Sequence, residues 1–255
     1  MRYDQVSYVP PLTKITKILI SLCAGMYFLA LVLRGIAGID LNDTFGLIPS
    51  DVWEHGKVWQ LVTYIFLHGN AFHLLLNLMI LWFFGAEIEM RMGEWKFLQY
   101  FFLCGIGAGL FNVFVKYGLI AMGSVEAQAT VSNAIIGASG ALFGLLVAYG
   151  VFFSDRYLLL FFMFPLKAPY FVMVIAGMEL LLGLEGRQGD NVAHFAHLGG
   201  ALIGAAYLWW HYIRPRSAKN RGNREREDLK KRFTLIVNEG KDAETRRGDD
   251  PNFWN

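Results

Sequence analysis

The chain has 255 residues, of which 55% are hydrophobic, and its formal net charge at pH 7 is +2. Its mean hydropathy is +0.38, and long stretches before Tyr212 carry almost no charged residue. A soluble domain would spread its charges evenly, so this pattern excludes an ordinary soluble fold and indicates a membrane protein. Cys23 and Cys104 lie far apart in apolar segments, which argues against a disulfide framework, a cysteine metal site or redox chemistry.

Six apolar segments are long enough to cross a bilayer as helices, which takes about 20 residues for a hydrocarbon core of roughly 30 Å. In chain order they cover residues 15–33, 59–85, 97–119, 136–153, 157–182 and 192–213. None shows the strict apolar–polar alternation of a barrel strand, so the sequence predicts helices. The expected fold class is all-α, a polytopic membrane protein built as a bundle of six transmembrane helices.

The distribution of lysine and arginine predicts that both termini are cytoplasmic, because these residues concentrate on the inner side of a membrane. With that orientation the inner segments carry most of the basic residues: Arg2, Lys14, Lys17, Arg91, Lys96, Arg156 and Lys167. The first outer loop is acidic on balance. We therefore expect a short cytoplasmic N-terminus at 1–14, a membrane domain at 15–213, and a charged, partly disordered cytoplasmic tail at 214–255, which holds twelve basic and eight acidic residues.

Glycines four residues apart recur in three of the predicted spans and would let neighbouring helices approach closely. These pairs are Gly105 and Gly109, Gly140 and Gly144, and Gly200 and Gly204. Ser139 and His197 each lie within a helical turn of such a pair, at a depth where polar groups are candidates for function. If the fourth and sixth helices pack through these glycines, the serine and the histidine come within hydrogen-bonding reach, as a nucleophile and its general base require.

The second span adds two further polar side chains. His73 and Asn77 are four residues apart and therefore share one helix face. An imidazole and an amide can both donate hydrogen bonds to a carbonyl oxygen that is becoming negative. The pair therefore predicts an oxyanion hole, which is most effective where water is scarce.

Three motifs together resemble the rhomboid family of intramembrane serine proteases. They are the run from His73 to Asn77, the Gly-x-Ser-Gly run at 137–140, and the Ala-His-x-x-Gly-x-x-x-Gly run at 196–204. They occur in the family's order on the second, fourth and sixth predicted helices. Trp59 also looks like part of the family's first-loop motif, and the resemblance covers about residues 59–212.

The resemblance implies a role for each matching residue. Ser139 would be the nucleophile and His197 the general base and acid, acting as a dyad without a carboxylate partner. Asn77, His73 and the backbone N–H of Ser139 would hold the oxyanion, and Phe143 would stack on the catalytic imidazole. Four glycines would support this site by close packing: Gly137, Gly140, Gly200 and Gly204.

The expected partners are the lipid bilayer and transmembrane protein substrates that are cut near the outer surface. No nucleic acid, cofactor or metal is expected. The compact plan of six spans looks bacterial and predicts a multi-pass protein of the cytoplasmic (inner) membrane.

Several residues depart from the family pattern or find no role in it. Gln60 follows Trp59 where the family commonly has arginine, which puts the packing of the first loop in doubt. His194 is interpreted as a hydrogen-bonded loop or helix-cap residue, and His68 as a contact of the first loop. Glu179, inside the fifth span, is costly if charged there and is not assigned to catalysis.

Two other classes of function stay open on the sequence. One is a catalytically silent protein of the same fold that binds membrane proteins, although such relatives usually lack the serine or the histidine. The other is a metal-binding membrane protein or transporter that uses four histidines: His68, His73, His194 and His197. Imidazoles suit zinc or copper, but the companion ligands and the second-shell acceptors that such sites need are not evident.

Overall fold

The computed structural model describes residues 10–160, 163–185 and 191–214, together with Lys230. Most of these residues are helical. The α-helices are α1 Lys14–Ala37, α2 Asn42–Phe45, α3 Pro49–His55, α4 Gln60–Thr63, α5 Ala71–Ile80, α6 Ala86–Met92, α7 Glu94–Ala121, α8 Val125–Thr130, α9 Ser139–Phe152, α10 Ala168–Glu185 and α11 Asn191–Leu208. A 3₁₀ turn, Tyr64–Phe66, follows α4, and a π-helical turn, Leu81–Gly85, joins α5 to α6.

Three helices are long and apolar enough to cross a membrane: Lys14–Ala37, Ala71–Met92 and Glu94–Ala121. The helix α9 has only 14 residues, about 21 Å at 1.5 Å per residue, which is short of a typical hydrocarbon core. The predicted fold class, a polytopic all-α membrane protein, is therefore confirmed. The count of six spans and the side of the membrane on which the termini lie stay predictions.

The predicted second span begins too early. Its first part forms two separate short helices, α4 Gln60–Thr63 and the 3₁₀ turn Tyr64–Phe66, and the long apolar helix starts only at Ala71. Leu67 is extended, and the side chain of Asn70 accepts a hydrogen bond from the His73 N–H, which caps the new helix. Hydropathy does not detect such a cap. The short helices at 60–66 and the helix from Ala71 therefore look like one continuous apolar span in the sequence.

The predicted fifth span is wrong in its first part. Instead of a helix from residue 157, the chain forms an antiparallel hairpin of β1 Tyr157–Leu160 and β2 Phe164–Lys167 before α10 begins at Ala168. Pro165 would remove a backbone donor from the interior of a helix, and a short apolar run is compatible with a strand as well as a helix.

One end of the helix bundle is organised by two glutamates of α6. The Glu89 carboxylate accepts hydrogen bonds from the N–H groups of Ile15 and Thr16 at 2.9 and 2.8 Å, where α1 begins. Glu87 forms an ion pair with Arg156, which follows α9. The start of α1 and the ends of α6 and α9 therefore lie at the same end of the bundle.

The loop between α1 and α5 is organised around Gln60, whose side chain is fully buried. Its Oε1 accepts a hydrogen bond from Ile48 N–H at 3.0 Å, and its Nε2 donates to Asp51 Oδ2 at 3.1 Å. The loop also pairs Leu47 with Ile135 in an antiparallel bridge. The amide that stands in the position of the family's arginine therefore holds this loop together.

The central helix α7 packs against α9 through small residues. A β-carbon on Gly144 would lie 2.4 Å from Cys104 Sγ, so the absence of a side chain allows this contact. The hydroxyl of Tyr100 donates to the carbonyl oxygen of Gly144 at 2.6 Å, and that of Tyr64 donates to Gly105 O at 2.7 Å. These buried bonds satisfy tyrosine hydroxyls among apolar side chains.

Two compact units divide the chain, Met1–Tyr207 and Leu208–Asn255. In the second, a π-helical segment covers Trp209–Ile213, and the guanidinium of Arg214 lies 4.5 Å from the centre of the Trp210 ring. The predicted tail at 214–255 and the predicted N-terminus at 1–14 lie largely outside the described residues, so these two domain boundaries stay predictions.

Candidate active site

The segment before α9 turns sharply at Gly137. Its φ of +124° lies in a region that favours glycine, and its N–H donates to the carbonyl oxygen of Tyr64 at 2.9 Å. A β-carbon here would lie 2.8 Å from His73 Cε1. The glycine therefore allows the imidazole of His73 to lie against the loop that leads directly to Ser139.

The helices α9 and α11 meet through backbone at their glycines. A β-carbon on Gly200 would lie 1.9 Å from the carbonyl oxygen of Gly140, and one on Gly204 would lie 3.0 Å from Gly144 Cα. This close approach brings Ser139 Oγ to 2.7 Å from His197 Nε2. A hydroxyl and an imidazole nitrogen at this distance have the geometry of a nucleophile and its base.

The imidazole of His197 is held on its face by Phe143. The two rings are stacked with centroids 4.5 Å apart and planes inclined by 9°. Phe143 is one helical turn beyond Ser139 on α9, so the same helix carries the hydroxyl and the ring that orients its partner.

The other two predicted side chains lie on α5. The Nδ2 group of Asn77 donates one hydrogen bond to the carbonyl oxygen of His73 at 2.7 Å, and its Oδ1 is buried with no partner among the described residues. An amide nitrogen has two hydrogens, so one donor of Asn77 remains available to a ligand.

All four polar side chains open on one cavity of about 250 Å³. Its wall consists of His73, Asn77, Ser139 and His197 together with apolar residues, and these are Leu76, Ile80, Ile136, Leu142, Phe143 and Leu146. A mostly apolar pocket with a few convergent polar groups is the usual form of a ligand site.

The backbone at Ser139 adds a further donor. Ser139 is the first residue of α9, and the earliest N–H that bonds back into this helix is that of Leu142, to Ala138 O at 3.1 Å. The N–H of Ser139 precedes this ladder, at the positive end of the helix dipole. Negative charge developing beside Ser139 would be stabilised there.

Glu179 of α10 also reaches this site, which corrects the expectation that His197 has no carboxylate partner. Its Oε2 lies 2.9 Å from His197 Nδ1 and 2.6 Å from His194 Nδ1. His194 is therefore neither a loop nor a cap residue, because it lies inside α11 and contacts the carboxylate. The available signal was a glutamate in an apolar span together with a second histidine three residues before the first.

His68 lies in the turn before α5, where it is 7% exposed. Its Nδ1 is 3.3 Å from the carbonyl oxygen of Phe66, and its ring packs edge-on against His73 with centroids 5.1 Å apart. It therefore contacts the loop before α5 through Phe66, as expected, and packs against the imidazole of His73 as well.

The four-histidine metal hypothesis does not match the grouping of ligand atoms that the structure has. The described residues instead bring together Glu179, His194 and His197, whose ligand atoms lie within 4.8 Å of one another. Two imidazoles and a carboxylate could hold a divalent ion. However, His197 Nδ1 would then bind the ion and could no longer form its hydrogen bond with Glu179 Oε2.

A sequence model of the Rhomboid domain matches residues 55–214, which is more than half of the chain and includes every residue of the cavity described above. This chain belongs to the rhomboid family. The three motifs thus lie within the matched domain, on or directly before α5, α9 and α11.

Among its relatives are a rhomboid protease AarA of Providencia stuartii, 30% identical over 59% of this chain and 54% of that protein, and a rhomboid protease GlpG of Serratia proteamaculans, 25% identical over 82% and 68%. The mitochondrial Rhomboid protein 1 of Saccharomyces cerevisiae is 28% identical over 57% of this chain and 39% of its own length. The match thus spans about half of the Providencia protein and less than half of the yeast protein. The relatives include both bacterial and mitochondrial proteins.

Proposed function

We propose that this rhomboid-family protein is an intramembrane serine endopeptidase that cleaves transmembrane proteins through Ser139 and His197. The observation that carries the proposal is the 2.7 Å contact between Ser139 Oγ and His197 Nε2 at the wall of a mostly apolar cavity. The names of the relatives as rhomboid proteases support the same reaction class.

The acylation step follows from this contact. Ser139 Oγ forms a bond to the carbonyl carbon of the scissile peptide, while its proton moves to His197 Nε2. The resulting tetrahedral species collapses when the carbon–nitrogen bond breaks and His197 gives the same proton to the leaving amine. The product is an acyl ester on Ser139 and a new amino terminus.

Deacylation repeats the sequence with water as the nucleophile. His197 takes a proton from the water as its oxygen attacks the ester carbon, and then returns that proton to Ser139 Oγ as the ester bond breaks. The enzyme regains its starting state and the second product leaves as a carboxylic acid. No redox partner or cofactor is consumed in either half-reaction.

The oxyanion is assigned to the donors that surround Ser139. Its own backbone N–H lies at the start of α9, ahead of the intrahelical ladder. Asn77, whose Nδ2 has a second hydrogen beyond the one donated to His73 O, and His73 itself line the same cavity from α5. Donors that are already in place cost no reorganisation when charge develops, which is why they lower the barrier.

The proposed setting is a bacterial cytoplasmic membrane, with both termini inside and six spans between residues 15 and 213. The positions of the charged residues support this orientation: Ser139 and His73 lie in the first turns of α9 and α5, whereas Arg156 follows the end of α9 and its partner Glu87 lies near the end of the continuous helix Ala71–Met92. With the basic end facing the cytoplasm, the cavity faces the outer half of the bilayer.

The substrate is proposed to be a protein with a single transmembrane helix that unwinds locally near the outer surface. A peptide bond in a regular helix has its carbonyl hydrogen-bonded, so the segment must open before Ser139 can reach it.

A reconstituted cleavage assay tests this function. The purified chain and a single-span model substrate with a Gly- and Pro-containing outer segment are placed in the same liposomes, and the products are mapped by mass spectrometry. We expect cleavage by the wild type and by Ser132→Ala, which changes an exposed serine outside the cavity. Ser139→Ala and His197→Ala should leave the substrate intact. Cleavage by Ser139→Ala at the wild-type rate would refute the proposal.

A further inference from the structure

The carboxylate of Glu179 lies in a cluster with two imidazoles of α11. One oxygen, Oε2, lies 2.9 Å from His197 Nδ1 and 2.6 Å from His194 Nδ1. The side chain of Glu179 is only 16% exposed, and those of His194 and His197 are 17% and 16% exposed. Burying a carboxylate costs free energy unless its partners compensate the charge. These hydrogen bonds therefore matter more than those of an exposed surface pair.

His197 connects this carboxylate to the nucleophile. Its Nδ1 faces Glu179, while its Nε2 lies 2.7 Å from Ser139 Oγ. An ionised carboxylate only accepts hydrogen bonds, so the ring must carry its proton on Nδ1 to bond it. Nε2 then has a free lone pair directed at the serine hydroxyl. The carboxylate thus selects the tautomer that can act as a base.

The same carboxylate lies where positive charge appears during the reaction. When Ser139 gives its proton to Nε2, the imidazole of His197 becomes a cation in a poorly solvated site. A negative oxygen 2.9 Å from the other nitrogen offsets that charge without any movement. Phe143 covers a face of the His197 ring, so a negatively charged partner such as Glu179 approaches at the ring edge.

His194 holds Glu179 in this position. It lies one turn before His197 on α11, and the planes of the two rings are nearly perpendicular, at 85°. Its Nδ1 binds the same Oε2 from a second direction, which limits rotation of the carboxylate away from His197. The role left open for His194 by the sequence is thereby explained.

We propose that Glu179 is a positioning residue that completes a hydroxyl–imidazole–carboxylate chain with Ser139 and His197, and that His194 anchors it. The inference rests on the proposed serine protease function and extends the expected dyad by a third member. The two added residues, Glu179 on α10 and His194 on α11, lie outside the three family motifs.

The rate of labelling by a fluorophosphonate, which reacts with an activated serine, measures the effect without a natural substrate. Glu179→Gln should slow labelling by roughly 10²- to 10⁴-fold, since a wrong tautomer costs up to about 10⁴ in a Ser-His-Asp triad. Glu179→Asp should recover part of the rate, and His194→Ala should lose less than Glu179→Gln. The matched control is Glu94→Gln, an exposed glutamate paired with Lys14, which should label as the wild type does.

Two readouts separate positioning from a merely structural role. First, Glu179→Gln should cause no further loss in a His197→Ala background, because its effect passes through the imidazole; the same fold-loss in both backgrounds would overturn the inference. Second, ¹⁵N NMR of the histidine-labelled wild type should show His197 with its proton on Nδ1, assigned by the signal missing in His197→Ala. A proton on Nε2 would overturn it.

The remaining outcomes are also decisive. Wild-type labelling should be unchanged by a chelator; a loss that zinc restores would assign the cluster to a metal and overturn the inference. Equal labelling of the wild type and a folded Glu179→Gln would overturn the inference alone. Failure of the folded wild type to label would overturn the proposed function and this inference with it.

Discussion

The carbonyl oxygen of Gly140 occupies the space where a β-carbon on Gly200 would be, only 1.9 Å away from that position. Two helices therefore touch backbone to backbone, and the contact lies one residue from Ser139 and three from His197. The distance between the nucleophile and its base is set by this crossing. Small residues that pack a membrane bundle here also position the candidate catalytic pair.

Gly200→Ala should separate these helices. Neither partner can move a flexible side chain out of the way, so the cost should reach or exceed the roughly 1–3 kcal/mol that is typical of overpacking. We expect a lower thermal unfolding midpoint in micelles and slower fluorophosphonate labelling. Gly25→Ala is the matched control, because nothing lies within 4 Å of a β-carbon there. An unchanged midpoint and labelling rate for Gly200→Ala would contradict this packing.

Asn77→Ala should lower kcat more than it raises KM for a membrane substrate. Its free amide hydrogen would bond the oxyanion only as charge develops, and the loss of one such donor costs about 2.7–4 kcal/mol in a serine protease. The His73 imidazole and the Ser139 N–H can reduce this loss. The comparison is Asn133→Ala, an exposed asparagine in the loop before α9. A raised KM with unchanged kcat would instead assign Asn77 to ground-state binding.

Glu89→Gln should destabilise the protein. Its carboxylate accepts hydrogen bonds from the Ile15 and Thr16 N–H groups and from the hydroxyls of Thr13 and Thr16, at distances between 2.5 and 2.9 Å. Hydrogen bonds to a charged group contribute about 1.5–3 kcal/mol each, so we expect a loss of at least about 2 kcal/mol.

Denaturant titration in mixed micelles measures this loss. Glu94→Gln provides the control, because the exposed Lys14–Glu94 pair is of a kind that contributes only about 0–1 kcal/mol. Equal stability of the two variants would show that Glu89 does not stabilise the start of α1.

Asp51→Asn should affect stability in a pH-dependent way. Burial raises the pKa of Asp51, but hydrogen bonds from Lys57 and Gln60 outweigh it and hold the pKa below its ordinary value. Because the pKa is lower in the folded than in the unfolded chain, the carboxylate stabilises the fold above the unfolded pKa, near 4. That contribution disappears as the pH falls through the folded value.

We therefore expect Asp51→Asn to unfold below the wild-type midpoint at pH 7, with a difference that narrows below about pH 4. Asp43→Asn, an exposed aspartate of the same loop, is the matched substitution. A difference that stays constant between pH 7 and pH 3 would show that the Lys57 contact contributes nothing through the charge of Asp51.

The polar residues of the candidate site could be predicted from the sequence better than the structure around them. Ser139, His197, His73 and Asn77 could be found because glycine spacing and helical periodicity place them on faces that close packing brings together. The structure groups them around one cavity. Their chemical roles stay a proposal.

The glutamate in an apolar span signalled that Glu179 needs a polar partner, but its contact with His197 could not be predicted, because it depends on how α10 packs beside α11 and no local pattern encodes that angle. The hairpin of Tyr157–Leu160 and Phe164–Lys167 was not predicted for another reason. Hydropathy does not distinguish a short apolar strand from a helical segment. The interior of the first loop was missed because Gln60 satisfies its amide with three distant partners, and these are Ile48, Thr44 and Asp51.

The most direct test of the catalytic role of Ser139 is fluorophosphonate labelling of the detergent-solubilised wild type, followed by peptide mapping of the modified residue. We expect a single adduct on Ser139 that is absent in Ser139→Ala and forms far more slowly in His197→Ala, with Ser132→Ala labelled as the wild type is. An adduct on another serine, or undiminished labelling in folded His197→Ala, would contradict this role.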